Sequence, residues 1–294
     1  MPIRFDDIAN RLKAFRLGSG LSAEEIAARL GISRTALYRF EKGEVAKIET
    51  LENLAELLDV SVPTLLGVGV EYIASAISYF ERMRQIEETA EHIIVLAGPI
   101  SYVLASDAFD HALGEVLRES VPESIETRER ALAQIDELMV VLHRRKETYR
   151  RRQPAIVNLI AASEMERFLR NGLVGRLDLS DKVRRERRAL ARAEAEHFTA
   201  LMENEPIGVQ IGIVRDTLPH TSFQIFRQPD RQILALSPFR LGEEPNIRVG
   251  VAMITSAPEA LALHEKMARE LWASALKGPA AVRFMRTMIE KAAG

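Results

Sequence analysis

The chain contains no cysteine and a single tryptophan in 294 residues. Without thiols it cannot build a disulfide framework, a cysteine nucleophile, an iron–sulfur cluster or a thiolate zinc site. It also lacks any run near the roughly 18 consecutive apolar residues of a membrane-spanning helix, because its longest apolar stretches are broken by Asn158 or Arg248. The opening MPIRFDDIANRLK holds two acids and no apolar core, so it does not read as a secretory signal. The six histidines (92, 111, 143, 197, 220 and 264) lie far apart, with no H-x3-H or H-E-x-x-H spacing. There is no G-x-S-x-G elbow, no G-x-x-x-x-G-K-[ST] phosphate loop and no G-x-G-x-x-G turn. These gaps predict a cytoplasmic protein that is not an enzyme and has no membrane segment, metal or cofactor.

What is present can fold. Apolar residues make up 47% and charged residues 28%, enough to bury a core. The length fits about two domains at roughly 100–200 residues each. The sharpest local signals lie in the first 68 residues. Ser22 and Glu25 have the spacing of a capping box, in which the hydroxyl accepts a first-turn N–H and the acid reaches back. The helix 22–30 turns Ile26, Ala27 and Leu30 inward, and Gly31 supplies the positive φ of a sharp helix–helix turn. Ile32 plugs the corner, and Ser33 caps a second helix, 34–42, that stops near Gly43. Two helices joined by a glycine turn, with apolar residues at 26, 30, 32, 37 and 40, form a helix-turn-helix pattern.

On a wheel of 100 degrees per residue with Arg34 at zero, Thr35, Tyr38 and Arg39 fall at about 100, 40 and 140 degrees. Leu37 and Phe40 fall on the other side. One face is donor-rich, the other apolar. An arginine on such a face can grip a guanine edge through two hydrogen bonds, and threonine or tyrosine can meet a thymine methyl or a phosphate. The backbone N–H groups that follow Ser22, at Ala23 and Glu24, suit a phosphate, and Lys42, Gly43 and Lys47 are the expected phosphate contacts of the next loop.

The run LSAEEIAARLGISRTALYRFEKG, followed by IETLENLAELLDVSVPTLLG, closely resembles the phage-repressor-like (XRE) helix-turn-helix domain over about 60 residues. The elements that carry the likeness are the Leu-Ser opening, Ala27 and Gly31 four apart, Leu37, the Glu41-x-Gly43 ending and the LA-x-LL-x-VS helix. The resemblance implies five helices and binding of double-stranded operator DNA, usually by a dimer. It maps Arg34, Thr35 and Arg39 onto base-reading positions, with Tyr38 bulkier than most residues at its place. Many members carry glutamine where this chain has Ala23. It also implies a pair between Arg16 in the first helix and Glu41 at the end of the reading helix, a fork that would lock one against the other.

Beyond residue 68 the pattern changes. Residues 69–92 are expected to form a connector and dimerisation helix, with Ile73, Ala76, Ile77, Phe80, Met83 and Ala90 largely on one side and acids on the other; that apolar side either packs on the chain's own C-terminal domain or forms a dimer, and the two are compatible. Residues 93–294 alternate strands (93–97, 155–161, 207–214, 221–227, 232–236, 247–254) with helices (106–119, 126–150, 163–171, 181–203, 257–276, 279–292). The expected fold class is an all-α helix-turn-helix N-terminal domain plus a larger α/β C-terminal domain with a mixed sheet covered by helices. Several strands end in small or hydroxylated residues. If neighbouring strands gather these ends at one rim, Ser101, Ser163, Ser237, Thr255 and Ser256 line an effector pocket; otherwise the serines simply cap helices.

Net charge is −2, yet residues 69–139 carry 5 basic and 14 acidic groups and residues 140–200 carry 15 and 8. The two blocks pair with each other, within a subunit or across a dimer, or the basic one meets a polyanion. Pairing is the preferred reading, because a nucleic-acid face already exists elsewhere. The expectation for the whole is a homodimeric or higher homo-oligomeric DNA-binding regulator with a small-molecule effector. The alternatives are a ligand-independent regulator whose C-terminal part oligomerises or meets a protein, and an enzyme with a DNA-binding head.

Overall fold

The computed structural model describes residues 5–44, 47–96, 98–124, 126–176, 178–215 and 222–292. The head consists of α1 (Phe5–Ser19), α2 (Ala23–Leu30), α3 (Arg34–Phe40), α4 (Ile48–Leu57) and α5 (Val62–Leu66). Local chemistry sets its corners. The Glu25 N–H donates to Ser22 Oγ at 3.2 Å while the Ser22 N–H donates to the Glu25 carboxylate at 2.8 Å, which closes the capping box. Gly31 ends α2 at φ 64°, a conformation that costs a residue with a Cβ. Ser33 and Ser61 cap α3 and α5. Leu12, Ile26, Leu37, Leu54 and Leu65 are all buried at the centre, each contributing about 1.5–3 kcal/mol by leaving water.

The body consists of β1 (Val70–Ile73), α6 (Ala76–Glu87), β2 (His92–Leu96), a short 3-10 turn, α7 (Asp107–Glu119), α8 (Arg128–Arg152), β3 (Ala155–Ala161), α9 (Ala162–Asn171), α10 (Asp181–Asn204), β4 (Val209–Val214), β5 (Ser222–Arg227), β6 (Gln232–Ser237), β7 (Ala252–Thr255), α11 (Pro258–Ser274) and α12 (Gly278–Lys291). The strands form one sheet in the order β1-β7-β6-β5-β2-β3-β4. β2, β3 and β4 are parallel neighbours; every other pairing is antiparallel. Alternation sorts the side chains. Leu96, Leu159, Phe223, Ile225 and Leu234 face α11, and Ile93, Val95, Ile156, Phe226 and Ile233 face the larger helical layer. Among the described residues, no helix is long and apolar enough to cross a membrane.

Two expected elements take a different form. Residues 69–92 are not one helix, because Gly67 and Gly69 hold φ of 70° and 84° and the next four residues pair with β7. The helix proper begins only where Ser75 Oγ accepts the Ser78 N–H. Nor is α6 amphipathic in use. It lies between α1 and α8 of its own chain, and its acids Glu81 and Glu87 are buried. The expected strand 247–254 shrinks to Ala252–Thr255, since the Asn246 side chain draws the backbone of 248 and 249 into a turn.

The charged blocks pair within the chain. Arg145 meets Glu87 at 2.7 Å, Lys146 meets Asp110 at 2.6 Å, Arg151 meets Glu88 at 2.5 Å and Arg187 meets Glu119 at 2.7 Å.

Head and body join where α1 packs on α6. Ser78 Oγ donates to the Ala14 carbonyl at 3.1 Å, and a Cβ at Gly18 would stand 1.9 Å from that same oxygen and 3.0 Å from Ser75 Cβ. Gly18→Leu is therefore expected to lower stability by about 1–3 kcal/mol through overpacking, measured by urea unfolding; an unchanged midpoint would show that the helices do not meet there.

Candidate nucleic-acid interface

The α3 helix presents the polar face that its sequence spacing describes. Leu37 is fully buried, Tyr38 and Phe40 are half-buried against the core, and Arg34, Thr35 and Arg39 are exposed. The Arg34 guanidinium lies 5.2 Å from the centre of the Tyr38 ring and donates to its hydroxyl at 3.1 Å. It also pairs with Glu24 of α2 at 2.5 Å. Arg39 donates through Nε to Glu44 at 2.7 Å and through a second nitrogen pairs with the same carboxylate at 2.6 Å. That bond holds the Glu44 carboxyl below its ordinary pKa. Both acids are solvent-exposed partners, which water, salt or another acceptor displaces readily.

Arg16 and Glu41 form a different kind of pair. Nε donates to Oε1 at 2.5 Å and Nη2 to Oε2 at 3.1 Å, a two-pronged fork between α1 and the C-cap of α3. Burial alone would lower the Arg16 pKa, but the Glu41 bond and charge outweigh it and raise it. The side chains are 14% and 6% exposed, so little water competes.

The expected phosphate contacts are less uniform. Ser22 is exposed, with its oxygen occupied by the Glu25 N–H, while Ala23 turns its methyl into the core. The carboxylate of Glu24 stands beside that helix start and opposes an anion there. Lys42 and Lys47 are exposed. Gly43, at φ 95°, already donates its N–H to the Phe40 carbonyl at 3.1 Å, which leaves it a shaping role in place of a donor role. Glu24 and Glu44 escape a reading by helical periodicity. One lies across the turn from Arg34, and the other sits past the end of α3, five residues from Arg39, off the i, i+4 spacing.

The five residues expected to share an effector pocket fall into three cavities. Ser101 and Ser237 line one of about 50 Å³ with Tyr79, Arg145 and Gln224. Burial pushes the Tyr79 hydroxyl up to about 12 there. Ser163 lines another of about 620 Å³ with Arg170, Arg188 and Arg215. Thr255 and Ser256 line a third, about 230 Å³, against the head. The cause is topological: β7 runs antiparallel to β6, so Thr255 leaves the sheet at the rim opposite Ser237. Neither Ser163 nor Ser256 caps its helix, as Ala161 and Ala257 hold the N-cap positions of α9 and α11. Among the described residues, no three histidines or acids group as metal ligands.

Residues 12–65 match the family model described as helix-turn-helix, which covers α2 to α4 and most of α1 and α5. The head is a helix-turn-helix domain of the XRE type. A solved structure of TrmBL2, an archaeal chromatin protein described as showing a novel mode of DNA binding, is similar at 13% identity and a TM-score of 0.30. The likeness covers 83% of this chain and 65% of that one, so the chain spans about two thirds of that protein's length. No curated protein matches the chain.

Because the fork anchors α3 to α1, Arg16→Ala is expected to destabilise the head by about 1–3 kcal/mol, the range for a charged hydrogen bond lost in a partly dry site. Chemical denaturation reads the loss, and an unaltered midpoint would remove the fork from the account.

Proposed function

We propose that the protein is a dimeric transcription regulator that reads operator DNA with α3 and answers to a small molecule held by its body. The observation that carries this reading is the exposed Arg34–Thr35–Tyr38–Arg39 face, backed by the buried Leu37 and placed inside a helix-turn-helix domain. In the major groove, Arg34 and Arg39 exchange Glu24 and Glu44 for guanine O6 and N7, and Thr35 and Tyr38 meet a thymine methyl or a phosphate. Lys42 and Lys47 contact phosphates beside the groove, with Gly43 shaping that loop, while Glu24 disfavours a phosphate at Ser22 and the Ala23 N–H. The reading is of a regulator and not an enzyme.

Residues 1–68 hold nine basic and ten acidic groups, so the head as a whole attracts DNA weakly. Two heads on half-sites about one helical turn apart, near 34 Å, multiply that weak hold. A body that dimerises, and that shifts between two placements of the heads when it binds an effector, supplies both functions.

Selection of bound duplexes from a random library, followed by anisotropy titration, tests the reading. Arg34→Ala or Arg39→Ala is expected to cost about 1–3 kcal/mol on the selected site and relax preference at one base pair. Lys42→Ala should weaken all duplexes alike and reduce the slope of log affinity against log salt by about 1. Equal losses on every sequence for the arginine variants would reduce them to phosphate contacts. Sedimentation of the full chain should find a dimer; a monomer that binds only isolated half-sites would overturn the two-headed arrangement.

A further inference from the structure

Pairing between the acidic and basic blocks does not use every cation of the basic one. A cavity of about 620 Å³ lies among α9, α10 and α12, at the carboxyl end of the parallel neighbours β3 and β4. Ala161 and Val214 are partners at the end of that ladder, and the residues that follow them, Ala162 and Arg215, both line the cavity. Its charged lining is Arg170, Arg188, Arg215 and Lys291 against the single acid Glu166. Glu166 is committed to Arg170 at 2.8 Å, one turn along α9. Among the described residues, Arg188, Arg215 and Lys291 take part in no hydrogen bond or ion pair through their side chains. This sets them apart from Arg145, Lys146 and Arg187, each of which meets a carboxylate. Three uncommitted charges of one sign around a recess repel one another and focus positive potential into it.

The rest of the wall is largely apolar. Phe284 and Met288 of α12 are half-buried against the core, and Leu169 of α9 is buried. Ser163 adds a hydroxyl that does not cap α9 and is free to donate to an anion. Cations beside an apolar wall match a ligand that is charged at one part and apolar at another.

We infer that this cavity binds an organic anion, a phosphate or carboxylate joined to an apolar body, with Arg188, Arg215 and Lys291 taking the charge and Phe284 and Met288 the apolar part. Pockets for small molecules run from about 300 to 1,000 Å³, so the space suits a mononucleotide or a substituted aromatic acid. A bare phosphate leaves the apolar wall unused, and so does a duplex, whose backbone has nothing apolar to bury there. The site gives a place and a chemistry to the effector of the regulator proposed above. That role rests on the regulator reading; binding does not.

The test titrates the full chain with phenyl phosphate, phthalate and AMP, beside inorganic phosphate and benzyl alcohol as controls, at ionic strength held constant with KCl and read by calorimetry. At least one of the first three is expected to saturate, about tenfold or more tighter than either control. Which one binds separates phosphate from carboxylate. Arg188→Gln and Arg215→Gln should each weaken that probe at least about tenfold. Both side chains are exposed, so the fold is retained. Arg185→Gln, exposed on the same helix but outside the cavity, should leave affinity unchanged. Saturation by none of the three, parity with either control, or an equal loss in Arg185→Gln overturns the site. Displacement of the probe by a duplex of unrelated sequence, with Arg188→Gln weakening both alike, makes the face a DNA contact and overturns it too. In a second arm the bound probe should change affinity for a selected duplex by about fivefold or more. Binding without that change overturns the effector role, and binding by a chain that ignores every duplex overturns the regulator reading; the site stands in both cases.

Discussion

Glu71 is the constraint on which the arrangement of head and body depends. It sits on the edge strand of the sheet, fully withdrawn from water, and accepts from Arg11 of α1 and Arg82 of α6 together. Burial by itself would raise its pKa, yet the two guanidiniums hold it below the ordinary carboxylate value. Glu87 gives the contrast. It is as deeply buried and meets Arg145 in a close fork, but there burial prevails and its pKa is raised. Two cations outweigh burial at one carboxylate, and a single cation does not at the other. Glu71 therefore ties β1 and the adjoining α6 to α1, 60 positions earlier in the chain, and removal of any one partner strands a charge in a dry site, a loss of several kcal/mol in comparable cases.

From that tie follows the role of α6. Of the two roles open to this helix, packing on its own chain is realised, with α1 on one side and α8 on the other. Its polar residues become the wiring of the interior. Glu81 takes Arg84 and Gln85, Arg82 takes Glu71, and Glu87 takes Arg145. The acidic and basic blocks that stand out in the sequence thus cancel inside one subunit. The head is consequently not a bead on a string. Its first helix is part of the body's helical layer, and that same helix holds the end of α3 through the Arg16–Glu41 fork.

The head was readable because its signals are short-range. A serine three residues before a glutamate, a glycine at a corner and apolar residues at helical spacing each report on a neighbouring turn, and the capping box and the φ of Gly31 follow from them. The body's parallel strands and the β5–β6 hairpin were legible from alternation and turn residues. Their order was not. Periodicity says which residues share a face but not which face acquires a partner, so the burial of Glu81 and Glu87 on the acidic side of α6 is not written in its spacing. Strand direction is likewise absent from a local pattern, and the reversal of β7 alone divides Thr255 and Ser256 from Ser237. Arg11 and Glu71 lie 60 positions apart, beyond any spacing rule.

The arginines of the molecule divide by what their partners can be exchanged for. Arg16 and Arg82 hold acids in places water barely reaches, and those bonds define shape. Arg34 and Arg39 are 58% and 62% exposed, each against an acid as open as itself. Moving them onto DNA trades one acceptor for another, so the exchange adds little to affinity at an arbitrary sequence. What differs is geometry: a guanine edge offers two acceptors in one plane, matched to the guanidinium fork, and other bases do not. Under the function proposed above, pre-paired arginines on a nearly neutral head favour discrimination between sequences over general attraction to the phosphate backbone.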